Sequence, residues 1–89
     1  MAGRNPVSWI VIEPGWAVMS ADGKRSGRVD EVVGDTDADI FTGLKILTGL
    51  LAKPKYVPSE QVAEITEGCI TLSISDQEAE ALRDWKDVP

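Results

Sequence analysis

Through most of the chain apolar and polar positions alternate with a period of two, the spacing of strands that cover one face and wet the other. Gly15-Trp16-Ala17-Val18-Met19-Ser20 passes through Ala21-Asp22-Gly23-Lys24 into Ser26-Gly27-Arg28-Val29-Asp30-Glu31-Val32-Val33. The Asp-Gly pair suits a two-residue type I′ turn, whose central residues both need positive φ, so residues 15–33 are expected to form a hairpin. Val29 and Val32 are three apart where a regular strand uses two. That mismatch predicts a β-bulge at Asp30-Glu31 and a strand bent enough to help close a small barrel.

After the polar turn Gly34-Asp35-Thr36-Asp37-Ala38-Asp39, Ile40, Thr42, Leu44 and Ile46 line one face of a long strand, while Phe41, Gly43, Lys45 and Leu47 line the other. Two glycines and several β-branched residues disfavour a helix there. Gly49 to Lys55 reads as a loop, Tyr56-Val57-Pro58 as a short strand cut by its proline, and Ser59-Glu60-Gln61 as a single helical turn. Val62–Thr66 and Cys69–Ile74 flank Glu67-Gly68 as a second hairpin, with Ile70, Leu72 and Ile74 on one side. The period then changes. Ser75 and Glu78 have the spacing of a capping box, and Ala79, Leu82 and Trp85 recur every three residues, which predicts a short helix with one narrow apolar stripe. Residues 1–6 read as a flexible start, and Val7–Ile12 as an added strand.

Strands in succession, closed by one helix, predict an all-β domain, a small and partly open barrel rather than an α/β fold. The expected division is an N-terminal arm at 1–13, a barrel at 14–75, and a C-terminal helix and tail at 76–89. Gly15-x-x-Val18, Asp22-Gly23 and Gly27-x-Val29-x-x-Val32 resemble the opening hairpin of the PRC-barrel family. Tyr56-Val57-Pro58-Ser59-Glu60-Gln61-Val62 is similar to that family's strand ended by a proline at a corner, and Ile65, Gly68, Ile70, Leu72 and Ile74 resemble its closing hairpin. The resemblance runs over about residues 14–75 and implies a six-stranded, partly open barrel used as an adaptor that docks on other proteins.

Composition narrows the chemistry. The 89 residues include 15 acids, 9 bases, one cysteine and no histidine, for a net charge of −6. Without histidine the commonest metal ligand and the commonest general base near neutral pH are missing. One cysteine excludes an internal disulfide and a four-thiolate site. The acidic balance disfavours attraction to nucleic acid or to anionic membranes. The first apolar stretch, Val7 to Ile12, is too short for a signal peptide core or a membrane helix, so a cytoplasmic protein without membrane insertion is expected.

Three constellations invite a functional reading. Asp35, Asp37 and Asp39 have the first three spacings of an EF-hand loop, but Ile40 stands where the loop needs glycine and Ile46 where it needs glutamate. A solvated acidic turn is the better reading, with these three as weak metal candidates and a barrel binding an ion or small molecule at 34–39 as the alternative function. Lys24, Arg25 and Arg28 are read as a solubilising hairpin tip. Carboxylate pairs such as Glu64 and Glu67 are too common to indicate catalysis, so no enzyme activity and no cofactor are expected. The third constellation is an apolar excess. With Leu44 and Ile46 inside, Phe41 and Leu47 are expected outside, and Trp9, Leu50, Leu51 and Trp85 also need cover, either from the terminal helix and N-terminal strand packing on this face or from another molecule. These six are the candidate interface residues of a self-associating interaction module, with an isologous homodimer as its simplest form.

Overall fold

The computed structural model describes residues 6–88. The flexible start expected for the first residues falls almost wholly outside them. Among the described residues, six strands form one curled sheet: β1 (Ala17–Met19), β2 (Arg25–Asp35), β3 (Ile40–Thr48), β4 (Lys53–Pro58), β5 (Val62–Thr66) and β6 (Cys69–Leu72). Their order is β4-β3-β2-β1-β6-β5, antiparallel throughout except where β1 runs parallel to β6. A single α-helix, α1 (Asp76–Glu80), follows. The fold is thus the all-β, partly open barrel that the alternation predicts.

The inner face is built from the period-two residues. Val18, Val29, Leu44, Ile46, Val57, Ile70 and Leu72 are at most 1% exposed, and Ile12 and Ala79 complete the core. The bulge expected in β2 is present, since the β2–β3 register shifts between Val29 and Glu31. A second shift, between Val33 and Gly34, pairs Gly34 with Phe41 and leaves Thr42 as an extra residue on β3. Cross-strand partners share a face, so this extra residue reverses the alternation beyond it. Phe41 therefore packs half-buried against the core rather than outside with Leu47, which corrects the simple alternation expected for β3.

Local chemistry explains three further differences. The first hairpin loop is not type I′: Gly23 has φ +82° but Asp22 does not take positive φ. Ser20 and Lys24 close a three-residue loop, with Gly23 N–H donating to Ser20 O at 3.0 Å and Ser20 N–H to Lys24 O at 2.8 Å. That is a type I turn followed by a left-handed glycine, the next most common hairpin solution. Second, Val7–Ile12 is not a strand. Ser8 Oγ accepts from Ile10 N–H at 3.2 Å and starts a 3-10 turn at Trp9–Val11, leaving one bridge between Pro6 and Thr66 and one bond from Val7 N–H to Ile65 O. Third, the terminal helix stops at Glu80, before its stripe reaches Trp85. Its capping box is formed: Ser75 Oγ accepts from Glu78 N–H at 3.1 Å and Glu78 Oε1 from Ser75 N–H at 2.9 Å. Beyond it Arg83 and Asp84 extend along β4, where Tyr56 N–H donates to Arg83 O at 2.9 Å, and Trp85–Asp87 forms a separate 3-10 turn.

Those terminal segments lie along the two outer strands. The N-terminal one bonds β5 and the C-terminal one bonds β4, which blunts edges that would otherwise template further pairing. β4 begins earlier than the loop reading expects and takes in Pro54. Pro54 and Pro58 share the parity of Tyr56, whose N–H points away from β3, so neither proline removes a ladder bond.

Candidate interaction surface

The six candidate interface residues fall into three places. In the first, Trp9 stacks on Phe41 with ring centroids 5.4 Å apart and planes 13° from parallel. Trp9 Nε1 donates to Asp39 Oδ1 at 3.0 Å. Gly34 lies beneath the indole, and a Cβ there would come within 3.0 Å of Trp9 Cη2 and Cζ3. The N-terminal segment thus supplies its own cover for Phe41.

In the second place, on the outer face of β3 and β4, the Tyr56 phenol leans over Gly43 and donates to Thr42 O at 3.1 Å. Trp85 packs on Tyr56 at a centroid distance of 6.1 Å and a tilt of 52°. Lys45 Nζ stands 5.2 Å from the centroid of the Trp85 ring and 3.3 Å from Asp30 Oδ2, where cation and ring attract. Leu47 follows two residues along the same face, opposite Pro54, and is half-buried. The alternation correctly placed Leu47 outside, but Tyr56 and Lys45 were not singled out. Their signal was the glycine at 43, a gap in an apolar strand that only a neighbouring ring can fill.

The third place is the turn between β3 and β4. Gly49 (φ +71°) and Ala52 (φ +49°) bend it sharply, and Ala52 N–H donates to Gly49 O at 3.2 Å. Leu50 and Leu51 project from it at 104% and 80% relative exposure, the most exposed large apolar side chains among the described residues. Among the described residues nothing covers them.

The acidic loop is otherwise engaged. Asp35 Oδ1 accepts from Asp37 N–H at 3.0 Å and Ala38 N–H at 3.3 Å, and Asp39 holds Trp9. Among the described residues no group of three or more histidine, cysteine, aspartate or glutamate side chains is placed to hold a metal ion.

Two carboxyls are shifted, both downward. The Ser20 hydroxyl, the Asp76 backbone N–H and Lys24 hold Asp22 below its ordinary 3.8. Lys55, whose Nζ lies 2.7 Å from Asp84 Oδ1, holds Asp84 below its ordinary 3.8, with Lys86 and Lys53 adding to the field.

The family model described as "Uncharacterized protein conserved in bacteria (DUF2171)" matches residues 12–80. The chain belongs to the DUF2171 family. A search of the curated proteins found no match to it. The DUF2171 match runs from Ile12, the first core residue, to the last residue of α1, and it includes Phe41, Leu47, Leu50 and Leu51 but neither Trp9 nor Trp85.

Proposed function

We propose that this DUF2171 chain is a non-catalytic protein-interaction module of the cytoplasm, built on a PRC-barrel-like scaffold, and that it associates with a second copy of itself. The strand pattern and the proline corner after β4 support the PRC-barrel reading. The observation that carries the interaction reading is the pair of adjacent leucines, at 104% and 80% exposure, on a sharply bent turn. Full burial of a leucine is worth about 1.5–3 kcal/mol, so a surface that covers both gains a useful part of a moderate binding free energy.

Light scattering on the purified chain tests this. The wild type is expected to exceed the monomer mass as concentration rises, with a dimer the first species, while the Leu50→Ser/Leu51→Ser variant stays monomeric and melts at an unchanged temperature. Association that is indifferent to both leucines would overturn the reading.

A further inference from the structure

Charge is segregated along the chain. Residues 45–56, which hold the end of β3, the leucine turn and the start of β4, carry Lys45, Lys53 and Lys55 and no acid. Residues 29–44 before them carry five acids and no base, and residues 57–82 after them carry six acids and no base. In the fold Lys45 pairs with Asp30 and Glu80 lies beside the leucine turn, while Lys53 stays exposed there. Lys53 flanks the leucine turn, and Lys55 and Lys86 join it around Trp85. Asp84 sits among them, hydrogen-bonded to Lys55 Nζ at 2.7 Å.

On the acidic side there is a shallow apolar depression at the sheet's open side. Phe41 of β3, Val62 and Ile65 of β5, and Pro6 and Val7 of the N-terminal segment line it, with Glu64 among them and, among the described residues, no lysine or arginine. Asp39 borders it through Trp9, which stacks on Phe41.

We infer that the leucine turn of one copy seats in this depression of a second copy, Leu50 and Leu51 covering Phe41, Val62 and Ile65 while Lys53 faces Glu64. This rests on the self-association proposed above and specifies its geometry. Two leucine turns meeting tip to tip would set Lys53 against its own copy, a like-charge contact that opposes binding. Turn against depression sets opposite charges together and removes two unlike apolar surfaces from water in one contact. Such a contact is heterologous: each dimer keeps one free turn and one free depression, so assembly continues with concentration unless rotation closes a ring.

Sedimentation velocity on two variants and their mixture decides it. Leu50→Ser/Leu51→Ser removes the turn, and Ala63→Arg fills the depression at an exposed position; Glu64→Lys serves if Ala63→Arg melts early. Each variant alone is expected to bind itself at least about tenfold more weakly than the wild type. An equimolar mixture is expected to form a one-to-one complex that grows no further, because one partner keeps the depression and the other keeps the turn. Added salt should weaken that complex. If depression variants assemble like the wild type, or the mixture stays monomeric, the inference is overturned while leucine-dependent self-association stands. A wild type still monomeric on the order of 100 μM overturns both.

Discussion

Gly43 shows how one missing side chain organises a face. A Cβ there would lie 2.8 Å from Tyr56 Cε1 and 2.9 Å from its hydroxyl, and would also run into the Val57 carbonyl oxygen. The ring could swing aside, but the carbonyl belongs to the paired strand and cannot move without disturbing the ladder. Gly43→Ala is therefore expected to destabilise the fold by about 1–3 kcal/mol, the usual cost of overpacking. Urea unfolding followed by tryptophan fluorescence measures it, and a midpoint equal to wild type would show that β4 yields more easily than this contact implies. Gly34 plays a similar part beneath Trp9. At both positions an aromatic ring completes a strand that lacks a side chain of its own.

At the scale of elements, α1 shows why local signals need tertiary support. Five residues cannot sustain a helix in water. This one persists because its capping box is closed, because Ala79 is buried in the core, and because the first hairpin reaches it. Asp22 Oδ1 accepts from Asp76 N–H at 3.1 Å, Ser26 Oγ donates to Asp76 Oδ1 at 2.9 Å, and Ala21 N–H donates to Ile74 O at 2.7 Å. Ser75→Ala removes the side-chain cap and is expected to cost about 1 kcal/mol, with amide exchange accelerating first at Glu78 and Ala79. Exchange rates unchanged in α1 would mean that the hairpin contacts alone hold it. The stripe of Ala79, Leu82 and Trp85 suggested a longer helix, yet β4 offered unpaired backbone groups, and Arg83 and Asp84 met them instead. An edge strand outcompeted the five further residues of helix that would have reached Trp85.

For the whole molecule, the two lowered carboxyls contribute a pH dependence to stability. Asp22 and Asp84 both have folded values below 3.8, so their stabilisation is complete above that value and is lost as pH falls through the folded values. Unfolding followed from about pH 5 to about pH 2 is expected to show stability declining below 3.8, and the Asp22→Asn/Asp84→Asn variant to show a shallower decline. A variant with the wild-type slope would show that other carboxyls govern this dependence. The same scale is where Lys53 beside the leucine turn and Glu64 in the depression become parts of two separate surfaces.

Alternation and turn chemistry were enough to place the strands, the β2 bulge, the corner at Ser59–Gln61, the closing hairpin and the capping box, because each rests on contacts within a few residues or on one strand's period. That Leu50 and Leu51 need cover was also legible; that the described part of the chain leaves them exposed was decided by the fold. The face taken by Phe41 was not legible, because one extra residue in a ladder reverses every side chain beyond it and that register is agreed between two strands. The chain's ends were legible as one source of cover, but not which rings they would meet, Trp9 on Phe41 and Trp85 on Tyr56. Local sequence determined which segments extend and which turn; pairing between distant strands decided which apolar residues the molecule covers for itself and which it leaves for a partner.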